Sequence, residues 1–139
     1  MNVSVVPRAE GETTYVVDLL PSALLNVPEM GWGGSEEEVR LRVCEQTEQI
    51  DRYEFVAIET GRVVGCAVLA PDEDIHVGPC LTIMWNYIIP EYRGALGMRF
   101  HRLAIRLAKH LGLPVLAYTH RKGVGQYSIT YRRLHGQKD

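Results

Sequence analysis

Apolar and polar positions along the chain follow two periods, one helical and one alternating. Val3 to Pro7 reads as a short strand, β1. Glu12 to Leu25 places Val16, Leu19, Leu20, Ala23 and Leu24 on one side at helical spacing. This is α1, which Pro21 either kinks or divides into two short turns. Ser35-Glu36-Glu37-Glu38 then opens a second helix, α2. Ser35 and Glu38 stand at capping-box spacing, and three acids in the first turn suit the helix dipole. Val39, Val43 and Ile50 form its apolar face, and the helix fades near Asp51.

The period then changes to that of strands. Tyr53 to Glu59 (β2) and Arg62 to Ala70 (β3) are rich in strand formers, with Thr60-Gly61 between them as turn chemistry. Cys80 to Ile89 (β4) is apolar on both faces and so predicts a central strand. Pro90-Glu91-Tyr92-Arg93-Gly94 breaks it. A helix follows to about Leu111 (α3), with Leu96, Phe100, Leu103, Leu107 and Leu111 inward and Arg99, Arg102, Arg106, Lys109 and His110 outward. Gly112 and Pro114 end it, and Val115 to Thr119 predicts β5. Two punctuated loops remain, Asn26 to Gly34 and Pro71 to Pro79. Gln126 to Leu134 is ambiguous. Its composition favours a strand, whereas Tyr127, Tyr131 and Leu134 also form an i, i+4, i+7 stripe.

A length of 139 residues predicts one domain, 1–139, and 46% hydrophobic with 23% charged residues is globular composition. No apolar run reaches the roughly 18 residues of a membrane span. The N-terminus has no signal or transit character, so the expected compartment is the cytoplasm. Cys44, Cys66 and Cys80 lack paired or metal-ligand spacing, which predicts free thiols buried as small hydrophobes and no metal. The net charge of −2 hides a split. Residues 1–91 hold five Lys/Arg against sixteen Asp/Glu, and residues 92–139 hold ten against one. A basic C-terminal third implies an anionic ligand, internal pairing or an acidic protein surface. Nucleic acid is one such partner, although the stretch lacks the interleaved aromatics of an RNA-binding sheet; a compact polyphosphate fits as well and needs less surface.

The chemistry concentrates after β4. A strand that ends in proline passes through Arg93-Gly94 into a helix with Gly97 in its first turn. Free amides and a partial positive charge at a helix N-terminus bind phosphate, and glycines let an anion approach the backbone. A βα turn that needs glycine for geometry alone explains the same residues. Tyr87-Ile88-Ile89-Pro90-Glu91-Tyr92-Arg93-Gly94-Ala95-Leu96-Gly97-Met98 resembles the acyl-CoA motif of the GNAT superfamily of N-acyltransferases. The element order over most of the chain resembles that family too.

The resemblance implies an α/β (α+β) fold with a mixed sheet, in the order β1-α1-α2-β2-β3-β4-α3-β5-α4 and without the family's β6 and β7. It implies acetyl-CoA as acyl donor and an amine as acceptor. Tyr87, Ile88 and Ile89 would pair with the pantetheine arm, and the amides of Arg93, Gly94, Ala95, Leu96, Gly97 and Met98 would hold the pyrophosphate. Leu96 stands where the family has glycine and Met98 where it has a small residue. This leaves either a shortened loop whose amides still converge or a degraded site. The resemblance also favours a C-terminal helix (α4) from Ser128 to Gly136, with Tyr131 as the acid that protonates the leaving thiolate. A chain ending soon after Gly136 would leave β5 as a bare edge needing a second copy or a partner. For the general base, His120 and the Asp72/Glu73/Asp74/His76 loop are candidates, and Asn86 could position a water. The competing reading is a binding or structural protein that kept the fold and lost the cofactor.

Overall fold

In a computed structural model, which describes residues 1–134, six strands form a single sheet in the order β1-β2-β3-β4-β5-β6. Neighbours are antiparallel except β4 and β5, which run parallel. The strands are β1 (Asn2–Arg8), β2 (Arg52–Glu59), β3 (Arg62–Asp74), β4 (Gly78–Ile88), β5 (Val115–Gly123) and β6 (Gln126–Arg133).

Helices cover both faces. α3 (Ala95–His110) lies on one, where Phe55 of β2 meets Phe100 edge-on with ring centroids 5.8 Å apart. Leu96, Phe100, Ala104 and Ala108 are its buried stripe, and its basic residues point outward as their spacing predicts. The other face carries a 3-10 turn at Tyr15–Leu19, then α1 (Leu20–Asn26) and α2 (Glu36–Glu48). Pro21 sits in the first turn of α1, where its missing N–H costs nothing, so the N-terminal helical stretch is two short turns. Both bonds of the Ser35/Glu38 capping box are present.

On this second face lies a fully buried ion pair. Arg52 Nε donates to Glu54 Oε2 at 2.7 Å, and both side chains have zero exposure. The remaining polar atoms are satisfied: Arg52 Nη2 donates to the Glu12 carbonyl at 2.6 Å, and the Tyr15 amide donates to Glu54 Oε1 at 2.9 Å. The pair therefore ties the N-terminal loop and the 3-10 turn to β2, a geometry in which burial of charge is tolerated. Cys66 and Cys80 are buried free thiols and Cys44 is half-buried.

Two sequence expectations are corrected. The acidic stretch after Ala70 is not a loop. β3 continues to Asp74 and β4 starts at Gly78, so the hairpin closes over three residues. Asp74 Oδ1 accepts from the His76 amide at 2.7 Å and the Val77 amide at 3.4 Å, a side-chain turn that lets charged residues sit at a strand end. The second correction is larger. The segment expected as α4 is β6, paired with β5 from Val115↔Arg133 to Gly123↔Gln126. Val124-Gly125 makes the turn, with Gly125 at φ +72°, a conformation glycine adopts freely. Tyr127 and Tyr131 are an even number apart, so a strand puts them on one face as well as a helix does. The β-branched Ile129 and Thr130 between them decide for the strand. β6 covers the β5 edge, so the expected bare edge there does not exist. Gly136 lies outside the described residues.

Candidate functional site

The site is the place where the sheet comes apart. β4 and β5 pair only at Leu81↔Leu116 and Thr82↔Ala117. Beyond these, β4 continues to Ile88 and β5 to Gly123 without pairing, which leaves residues 83–88 with no strand on that side. The cause is local. Val68 pairs with Trp85 and Leu69 with Ile83, so Met84 is an extra residue in β4. Such a bulge bends and twists its strand, and here it bends β4 away from β5.

The resulting slot runs through the sheet. Three cavities of about 330, 320 and 140 Å³ meet in it, and Asn86 lines all three. The first opens on the α1 side, between Val27 and Met30 of the loop after α1, Trp85 of β4 and Tyr127 of β6. The second lies over the start of α3 and is lined by Arg93, Gly94 and Gly97. The third opens on the α3 side beside Phe100, His101 and Tyr118. His120 lines both the first and the third, so it is reachable from both faces.

At the α3 start, Gly94 takes φ +89° and no side chain caps the helix. The Met98 amide returns to the Gly94 carbonyl at 3.0 Å. The amides of Ala95, Leu96 and Gly97 have no side-chain acceptor and stand at the positive end of a 16-residue helix. A Cβ on Gly97 would meet only Ile88 Cδ1, at 3.9 Å. The two departures from the family motif do not fill this mouth. Leu96 is 5% exposed and belongs to the core beneath, while Met98 is exposed and does not line the cavity. Arg93 Nε donates to the Ile88 carbonyl at 2.8 Å, which pins the end of β4 and holds the guanidinium over the Tyr87 ring, 5.3 Å from its centroid.

Of the sequence candidates, Arg93, Gly94 and Gly97 converge on one cavity with Tyr87 and Ile88. Ile89 is buried, and its amide donates to the Val64 carbonyl at 2.9 Å, so its backbone faces the sheet. Tyr87 is nearly buried. Its Oη meets Ser22 Oγ at 2.8 Å and accepts from Asn26 Nδ2 at 3.0 Å, which fastens α1 to β4 beside the slot. Tyr131 is not brought to the slot. Its hydroxyl donates to Asp74 Oδ2 at 3.0 Å and lies 3.3 Å from His76 Nδ1, at the closed end of the β3–β4 hairpin. That bond raises the phenol pKa and holds the Asp74 carboxyl low, where the His76 amide contributes most. The acid role for Tyr131 rested on the helix that β6 replaces. Asp72, Glu73, Asp74 and His76 line none of the three cavities.

A cluster around Glu29 was missed from the sequence. Glu29, from the loop after α1, accepts from Arg121 Nε at 2.6 Å and Nη2 at 2.9 Å, and from the Tyr127 hydroxyl at 2.8 Å. Arg121 in first place holds the Glu29 carboxyl far below the usual range. The contact spans more than 90 residues of sequence, so only the alternating face shared by Arg121 and Tyr127 could have hinted at it. Among the described residues, no carboxylate lines any of the three cavities.

Comparison with known proteins gives the same architecture. No curated protein sequence matches the chain. A GNAT family acetyltransferase from Staphylococcus aureus superposes with a TM-score of 0.59 at 15% identity, over 94% of this chain and 95% of that one. A predicted acetyltransferase from Clostridium acetobutylicum, solved with acetyl-CoA, gives 0.59 at 13% identity, over 87% and 82%. An aminoglycoside 6′-N-acetyltransferase from Acinetobacter haemolyticus gives 0.59 at 16%, over 88% and 81%. At such identities the likeness is one of fold. The sequence profile of the Acetyltransferase (GNAT) family matches residues 23–131, the span that runs from within α1 through the bulged β4, the α3 turn and β5, and the chain therefore belongs to the GNAT acetyltransferase family.

Proposed function

We propose that this protein transfers an acetyl group from acetyl-CoA to an amine by direct attack within the slot. The observation that carries this reading is the coincidence of two features: an uncapped α3 N-terminus and a through-sheet opening that share Asn86 and Gly97. The amides of Ala95 to Gly97 would take the pyrophosphate, with Arg93 beside them. The pantetheine arm would run along the unpaired edge of β4 from Ile88 toward Met84, replacing the strand contact that β5 does not make. Acetyl-CoA then enters at the α3 turn, and the acceptor enters from the α1 side.

Backbone amides on the bulged edge of β4 are the donors available to polarise the thioester carbonyl. For proton transfer, His120 is the imidazole that lines both openings. As the amine attacks the carbonyl carbon, His120 accepts the ammonium proton. As the C–S bond breaks, the imidazolium returns that proton to the leaving thiolate. The chemistry is balanced without a second titratable group, and Tyr131 has no part in it.

Steady-state acetylation across a pH range tests the assignment. His120→Gln should lower kcat by roughly 10²–10⁴-fold. Tyr131→Phe should leave kcat and the profile as in the wild type. Unchanged turnover in His120→Gln, or a collapse in Tyr131→Phe, overturns the proposed roles. A protein that binds no acetyl-CoA is instead a binding or structural member of the family.

A further inference from the structure

The opening on the α1 side carries a chemical preference of its own. One side of its wall is apolar or aromatic, with Val27, Met30, Met84, Trp85 and Tyr127, while Asn86, Thr119, His120 and Arg121 supply the polar part. Trp32, which does not line the cavity, adds exposed apolar surface on the same loop. It lies two residues beyond Met30 and packs on the β5–β6 turn so closely that a Cβ on Gly125 would stand 2.9 Å from its Cη2, yet it remains 70% exposed. Met84, the bulged residue, is 46% exposed. Large apolar side chains left in water around a cavity mouth mark a surface that gains by being covered.

Charge restricts what can cover it. No carboxylate lines this opening, and the titratable side chains that do are His120, Arg121, Tyr87 and Tyr127. The nearest acid, Glu29, has both oxygens taken by Arg121 and Tyr127 and is only 9% exposed. A substrate with several ammonium groups would thus meet an apolar wall and the Arg121 guanidinium, with no free carboxylate to pair with. A substrate with one amine loses nothing, because that amine is neutral when it attacks and its body can bury the exposed indole and thioethers.

We infer that the acceptor is a single primary amine carried on an apolar, aromatic-sized body, and not a polycation such as a polyamine or an aminoglycoside. This rests on the acetyltransferase reading above. Trp32 and Met84 are its specificity-determining residues, and the Glu29–Arg121–Tyr127 cluster shapes the mouth while withholding the one nearby carboxylate.

The test is a competition of acceptors with the purified protein and acetyl-CoA: phenethylamine, spermidine and kanamycin at equal concentration, with acetyl-CoA affinity measured separately by calorimetry. The expected kcat/KM for phenethylamine exceeds that for either polycation by tenfold or more. Trp32→Ala, at an exposed site, should raise the phenethylamine KM severalfold and leave acetyl-CoA affinity unchanged. Met84→Glu, also exposed, should supply the missing anion and narrow the ratio in favour of spermidine. A wild type that prefers spermidine or kanamycin overturns the inference. So does one that binds acetyl-CoA yet leaves phenethylamine unacetylated, while the acetyl-CoA site stands. Absence of acetyl-CoA binding removes the acetyltransferase reading itself, and the inference with it.

Discussion

Gly97 is the residue on which ligand binding and folding separate most cleanly. It is helical, its α-hydrogen faces the cavity over the α3 start, and a Cβ there meets only Ile88 Cδ1 at 3.9 Å. Gly97→Asp should therefore fold with little change in melting temperature while placing a carboxylate among the amides proposed for the pyrophosphate. Acetyl-CoA binding should fall below detection by calorimetry, and binding at wild-type strength would locate the pyrophosphate elsewhere. Glu54 is the opposite case, a residue that serves the fold alone. Replacing one member of a buried pair strands its partner's charge, so Glu54→Gln should cost about 3–5 kcal/mol in chemical denaturation. A loss below about 1 kcal/mol, the size of an exposed pair, would show that Arg52 finds another partner. The position of Arg93, Gly94 and Gly97 at the start of α3 was legible in the sequence because a strand–turn–helix signal is local. The segment around Tyr131 was read as a helix because its four-residue spacing suits a helix face as well as a strand face, so the family pattern could overrule its strand-like composition.

At the scale of elements, the bulge in β4 and the loop after α1 make the site. The bulge could not be read from CLTIMWNYII, because nothing in that run distinguishes an extra residue from a regular alternation. The hairpin of β5 and β6 was readable from Gly123-Val124-Gly125 and the β-branched pair Ile129-Thr130, and composition alone pointed to it. The family resemblance drew the reading toward a helix. The Glu29 cluster joins the loop after α1 to that hairpin, and it makes a pH prediction. Arg121 and Tyr127 depress the folded-state pKa of Glu29 below its unfolded value. Its contribution is therefore complete above the unfolded carboxylate pKa, about 4.3, and is lost as pH falls toward the folded value. The difference in melting temperature between wild type and Glu29→Gln should be full at neutral pH and shrink on acidification. A difference that grows in acid would contradict the assignment.

For the whole molecule, the charge split between the halves is resolved only in part by internal pairing. Among the described residues, Arg121 is the cation of the basic third that pairs with a carboxylate, whereas Arg132 approaches His101 at 3.1 Å. Burial and the neighbouring Arg132 both lower the His101 pKa. The outward face of α3 keeps Arg99, Arg102, Arg106 and Lys109 in solvent. The strand and helix order through β5 was legible because hydrophobic period and capping signals are short-range. The parallel pairing of β4 with β5, and its interruption after two residue pairs, depends on contacts across some 35 positions and was not. That interruption is the gap proposed for acetyl-CoA. Isothermal titration of the full chain with acetyl-CoA tests it most directly. Saturable binding at one site per chain, lost in Gly97→Asp, is the expected result. No heat at millimolar acetyl-CoA, from protein shown to be folded, would contradict it.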